Sequence, residues 1–168
     1  FDFGTTFMNS WWFIVTDFYI LLILTAFLGL CFGSFANVLI YRIPENISII
    51  NPRSFCPKCK ISIPFYRNIP IFSFIFQLGK CHNCSNKISL QYPLIEFFMA
   101  SLWFYFMFDF KNQDLFNIIS SICIISILIP LAIIDLKRLY FPLSLLAILM
   151  LLGIIQACMS YDSFIGLM

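Results

Sequence analysis

FYILLILTAFLGLCFGSFANVLIY, residues 18–41, runs for 24 residues without a charge. At about 1.5 Å of rise per residue, a helix of that length crosses a hydrocarbon core of about 30 Å. The stretch is too long and too far from the start for a signal-peptide core, and no small-residue cleavage site follows it. It therefore predicts a first transmembrane helix. Residues 1–17 are apolar but interrupted by Asp2, Gly4, Asn9 and Asp17. Trp11, Trp12 and Phe13 within them suit a membrane interface better than its core.

The rest of the chain extends this reading. Of its 168 residues, 61% are hydrophobic and only 11% are charged, which is too little charge for a soluble domain of that size. A net charge of +2 gives no footing for a nucleic-acid partner. Further apolar runs follow at Leu94–Phe108, Leu115–Ile134 and Phe141–Met159, and Phe164 opens another. The expectation is an all-α polytopic membrane protein in the lipid bilayer, with about four transmembrane helices and the start of a fifth. Phe1 at one end and the apolar run Phe164–Met168 at the other make the chain read as a piece of a longer one.

Basic residues orient the spans, because loops on the cytoplasmic side carry an excess of Lys and Arg. Nine of the ten basic residues fall between spans one and two or between spans three and four; only Lys111 does not. Asp2, Asp17, Asp109, Asp114 and Asp162 fall on the opposite side. This predicts an external N-terminal segment over 1–17 and a cytoplasmic loop over 42–93.

That loop holds Cys56-Pro57-Lys58-Cys59 and Cys81-His82-Asn83-Cys84, separated by 21 residues. Each CxxC lets two thiolates reach one tetrahedral ion from a tight turn, and a reducing compartment disfavours disulfides. A structural zinc site of Cys56, Cys59, Cys81 and Cys84 is expected, in a loop too short for a core of its own. The alternatives are a redox pair or simply reduced cysteines. His82 reads as a bystander, since four cysteines fill the shell. Cys31, Cys123 and Cys158 sit inside spans as small apolar fillers. Pro64 and Pro70 preclude a long helix between the knuckles.

Two acids lie near the same membrane face. Asp135 ends span three after an uncharged run, a position that makes an ionisable group a functional candidate. Its plain alternative is an ion pair with Lys137 or Arg138. Glu96 opens span two, where it could equally pair with a loop Lys or Arg or cap the helix start behind Pro93.

Taken in order, these residues resemble the type IV prepilin peptidases, the bifunctional leader peptidases and N-methyltransferases of pilus and type II secretion systems. Gly33-Ser34-Phe35-Ala36-Asn37-Val38-Leu39-Ile40-Tyr41-Arg42-Ile43-Pro44 is similar to the family signature. The two CxxC knuckles follow, with Asn68-Ile69-Pro70 between them, then Ile88 to Glu96, then Ile134-Asp135 and Tyr140-Phe141-Pro142. The likeness covers most of the chain from Phe27 to Pro142.

The resemblance implies a GxGD-type aspartyl endopeptidase of the bacterial inner membrane. Asp135 would be its first catalytic acid and prepilins or pseudopilins its substrates. It also implies S-adenosylmethionine as methyl donor for the new N-terminus. Residues 18–110 would form the N-terminal domain and 115–168 an incomplete peptidase domain, because no GxGD with a second catalytic Asp occurs here; alone, this piece is expected to be inactive. Leu143 stands where the family often has Asp, and Gln91 where Arg is common, a change expected to matter little. The competing readings are a non-catalytic zinc-knuckle scaffold for pilus or secretion assembly and a membrane thiol-redox protein.

Overall fold

A computed structural model describes the backbone of residues 3–109 and 114–165, and the side chains of 16–109 and 114–159. Four long helices carry the chain: α1 over Phe3–Arg42, α3 over Gln91–Phe108, α4 over Leu115–Arg138 and α5 over Leu143–Ile165. Between α1 and α3 lie only a 3-10 turn, Phe65–Arg67, and the five-residue α2, Phe72–Phe76. Among the described residues there is no strand, only two isolated bridges. The protein is an all-α polytopic membrane protein.

Two stretches, Thr16–Arg42 and Leu115–Arg138, are long and apolar enough to cross a membrane, and Leu143–Met159 is a shorter apolar helix. The first helix starts well before the predicted span. Asp2 lies outside the described residues, while Gly4, Asn9 and Asp17 all fall within one helix of 40 residues. None of the three is proline, and each costs a helix only about 0.5–1 kcal/mol. At about 1.5 Å per residue this helix is roughly twice as long as a hydrocarbon core is thick. The predicted opening of a fifth span at Phe164 falls in the last turn of α5, and residues 166–168 lie outside the described ones.

α1 and α3 pack backbone to backbone. A Cβ placed on Gly29 would lie 2.8 Å from the Cα of Ala100, and one on Gly33 2.6 Å from the Cα of Glu96. Phe32 closes the seam against Trp103, ring centroids 4.7 Å apart. The Trp103 indole N–H donates to Ser126 Oγ on α4 at 3.2 Å. Ala36, Ile40, Ile95, Met99, Leu131, Ile134 and Leu145 form the shared core of α1, α3, α4 and α5. Away from this core the helices turn Phe27, Leu28, Phe97, Phe98 and Tyr105 outward. Such outward faces suit lipid, not water.

Pro93 sits in the first turn of α3, where its missing N–H costs nothing. Pro130 lies inside α4 and is buried. α4 ends at Leu139, whose left-handed backbone (φ 49°) lets its N–H reach the Asp135 carbonyl at 2.8 Å. The chain then turns through buried Pro142 into α5.

Candidate functional site

The two knuckles are the same structure built twice. Cys56 N–H donates to the Ile61 carbonyl at 3.0 Å, and Lys60 N–H to the Cys56 carbonyl at 2.8 Å. In the second knuckle Cys81 N–H donates to the Asn86 carbonyl at 2.8 Å, and Ser85 N–H to the Cys81 carbonyl at 2.9 Å. An antiparallel bridge flanks each one, Phe55 with Ser62 and Lys80 with Lys87. The residue after each second cysteine turns left-handed, Lys60 at φ 61° and Ser85 at φ 55°.

The duplication brings four thiols to one point. The sulfurs of Cys56, Cys59, Cys81 and Cys84 all lie within 4.8 Å of one another, and Cys56 Sγ stands 3.9 Å from Cys84 Sγ of the other pair. A tetrahedral ion with metal–sulfur bonds of about 2.3 Å needs sulfurs about 3.8 Å apart. The cluster can therefore hold a metal ion. All four cysteines are free thiols. His82 is exposed and outside the cluster.

Their acidities diverge, as crowded thiols must. Backbone N–H groups of Cys84 and Asn83 donate to the Cys81 sulfur and bring its pKa down to about 7. Cys84 receives the Asn86 N–H, yet desolvation and the neighbouring sulfurs of Cys81, Cys59 and Cys56 push it up to about 11. Four thiolates this close cannot coexist without a cation to balance them.

Arg42 organises the chain that leads from α1 to the first knuckle. Only 4% exposed, it donates to the carbonyls of Ser48 (2.7 Å), Pro52 (2.8 Å) and Arg53 (3.2 Å). Its guanidinium also lies 5.6 Å from the centre of the Phe55 ring, with Lys60 Nζ 5.4 Å from the same ring.

The structure changes the reading of both acids. Asp135 lies in the last turn of α4, half-buried, next to fully buried Ile134. The expected alternative for it, a local ion pair, is not formed. Arg138 reaches Glu45 instead, 2.6 Å away, and Lys137 donates to the side-chain carbonyl of Gln91. Gln91 is thus more than a neutral stand-in. It also donates to Asn37 Oδ1 at 3.4 Å, and Asn37 donates to the Gly33 and Tyr92 carbonyls, both at 3.2 Å. One polar chain, Asn37–Gln91–Lys137, ties α1, α3 and α4 together, its last member two residues beyond Asp135 in α4.

Glu96 pairs with no loop Lys or Arg. Only 6% exposed, it accepts the backbone N–H of Ile71 at 2.7 Å through Oε2. Ile71 carries φ 59° and ψ −52°, and Phe72 N–H donates back to the Pro70 carbonyl at 2.6 Å. This is the γ-turn that is rare and strained, costing about 1–3 kcal/mol for a non-glycine residue. The buried carboxylate holds that turn against α3. Asn37 and Arg42 lie in the stretch similar to the family signature, and Gln91 and Glu96 in the Ile88–Glu96 segment, but nothing in either motif announces the contacts these side chains make.

Between the knuckle module and the ends of α1, α3 and α4 lies a cavity of about 620 Å³. Glu96, Asn37, Tyr41, Ser73, Gln91 and Lys137 are among its walls.

The fold and site thus define a membrane-helix protein whose segment between α1 and α3 is organised around four thiols that can hold a metal ion. The chain belongs to the family described as the Bacterial Peptidase A24 N-terminal domain, whose model matches residues 27–110. It is similar to proteins named "Prepilin leader peptidase/N-methyltransferase" in three bacteria. The Myxococcus xanthus protein is 40% identical over 77% of this chain and 38% of its own length. The Vibrio cholerae protein is 36% identical over 74% and 51%, and the Bacillus subtilis protein 39% identical over 68% and 45%. The chain therefore spans about half the length of these relatives, or less. No solved structure matches it.

Proposed function

We propose that this chain is the N-terminal part of a bacterial inner-membrane enzyme. It would remove the leader peptide of prepilins and pseudopilins and methylate the new N-terminus. Family membership carries this reading; the relatives bear both activities in their names. In it, residues 18–110 are the N-terminal domain, 115–168 begin the peptidase domain, and the knuckle loop faces the cytoplasm with residues 1–17 outside.

Asp135 is the catalytic carboxylate this chain contributes. Its support is local: Lys137 and Arg138 are engaged by Gln91 and Glu45, so neither neutralises the acid. Aspartyl chemistry needs a second carboxylate, expected in a GxGD motif. One acid, ionised, takes a proton from water, while the other, protonated, polarises the scissile carbonyl. A catalytic acid at the end of α4 suits a substrate whose own apolar helix already lies in the bilayer.

The metal is zinc in this reading. A four-thiolate set at tetrahedral spacing suits a closed structural site, since no position is left for water. S-adenosylmethionine, when bound, would supply an electrophilic methyl group for the newly freed amine.

Asp135→Asn in the intact protein tests the peptidase assignment. Leader removal from a prepilin in membranes is expected to vanish while protein level and metal content hold. Cleavage at the original rate would overturn it.

A further inference from the structure

The cavity beneath the knuckle module has the size of a small-molecule site, which typically measures about 300–1,000 Å³. Its walls are mixed in a telling way. Tyr41, Phe55 and Tyr92 offer aromatic surface, and Asn37, Asn68 and Gln77 offer amides. Glu96 is the one acid among the lining residues. Hydrogen bonds from the Ile71 N–H and the Ser34 hydroxyl leave about half of its acceptor capacity unused. Ser73 also lines the cavity, and its Oγ is the buried side-chain polar atom that lacks a hydrogen-bond partner among the described residues.

As the one carboxylate on the wall, and a buried one, Glu96 favours a cationic group of the ligand beside it. The basic groups in the lining, among them Arg67 and Lys137, call for an anion. A ligand that satisfies both must carry separated charges and a flat ring system for the aromatics. On the reading that this protein transfers a methyl group, one molecule meets each demand. S-adenosylmethionine has a sulfonium, an amino-acid end with its own carboxylate, and an adenine.

We infer that this cavity is the methyl-donor site, with Glu96 as the counter-charge to the donor's sulfonium and Ser73 as a hydrogen-bonding group on its wall. The placement is economical. Lys137 and Arg138 belong to both the cavity wall and the end of α4 that carries Asp135. A newly freed amine would then emerge beside the donor. Glu96 has a double task, since the same carboxylate that fixes the Ile71 turn shapes the cavity.

The test is equilibrium binding to the intact protein in lipid nanodiscs, with no turnover required. Radiolabelled S-adenosylmethionine is competed by sinefungin, which keeps a positive charge at the sulfonium position, and by S-adenosylhomocysteine, which loses it. The expected result is that the charged pair binds about tenfold or more tightly than the neutral product. Glu96→Gln can still accept the Ile71 N–H, and it is expected to erase that preference. Ser73→Ala is expected to weaken all three ligands together. Ultraviolet cross-linking of the radiolabelled donor should mark peptides within 64–77 or 87–96, whatever the variants do to folding.

An unchanged preference in Glu96→Gln, or cross-links confined to other segments, would overturn this site while leaving methyl transfer intact. An intact protein that cleaves prepilin but binds no methyl donor would overturn the methyltransferase half of the functional reading with it.

Discussion

Gly33 on α1 stands so close to Glu96 on α3 that a single added methyl group would sit 2.6 Å from the Glu96 Cα. The atom it meets is backbone, so no side-chain rotation can relieve the contact. Gly33→Ala is expected to force the helices apart and cost about 1–3 kcal/mol, the usual range for overpacking. Gly153→Ala is the control, since nothing lies within 4 Å of a Cβ placed there. Removing that glycine should be neutral or stabilise by up to about 1 kcal/mol through helix propensity. Thermal unfolding in detergent reads both. Equal midpoints for the two variants would contradict the backbone contact between α1 and α3.

Arg42 is the second place where geometry makes a sharp demand. Three carbonyls of the loop after α1 depend on one guanidinium fork. Lysine keeps the charge but has no planar fork and cannot span all three acceptors in the same way. Arg42→Lys should therefore loosen residues 46–53 and cost about 1–3 kcal/mol, the range for leaving buried polar groups unpaired. Limited proteolysis within 46–53, faster in the variant than in the parent, is the measurement. Identical cleavage rates would mean that water replaces the guanidinium without loss.

The Arg138–Glu45 pair should behave differently despite its short distance. The two side chains are 58% and 43% exposed. Water and salt screen such pairs, which are worth about 0–1 kcal/mol. Glu45→Gln is expected to leave the unfolding midpoint nearly unchanged. On the proposal that Asp135 is catalytic, its consequence should fall on that acid, because Arg138 loses its partner three residues away. A slower peptidase rate in the intact protein, restored by Arg138→Gln in the same background, is the expected outcome. A midpoint that drops as far as in Gly33→Ala would show the pair to be structural.

Much of this architecture was legible in the sequence. Uncharged runs announced α1, α4 and α5, and the CxxC spacing announced the thiol cluster. Both signals are local: hydropathy and motif spacing need no knowledge of what packs against what. The start of α1 was harder, because Asn9 and Asp17 look like interruptions and yet cost a long helix little. The contacts of Gly33, Glu96 and Ile71 were out of reach. They depend on which helix faces which, and a buried acid bonded to a strained backbone N–H leaves no periodic trace. Gln91 was misjudged for the same reason: its worth lies in bridging Asn37 and Lys137, which are distant in sequence.

Metal binding should be strongly pH-dependent, and the thiol acidities give its sign. Cys81, lowered to about 7, is largely thiolate above that pH, whereas Cys84, raised to about 11, still holds its proton when no ion is bound. An incoming metal must expel that proton and any others the quartet retains. Apparent affinity should therefore climb as pH rises from about 6 to 8, and fall on acidification as protons reclaim the sulfurs. Titration calorimetry in buffers of different ionisation heat should show proton release on zinc uptake by the chelator-stripped protein. Cys56→Ser removes a buried ligand and Cys84→Ser an exposed one, yet both should lose the ion, because a closed tetrahedral site needs all four. Retention of one metal per chain by either variant would mean that the ion, if bound, rests on a different ligand set.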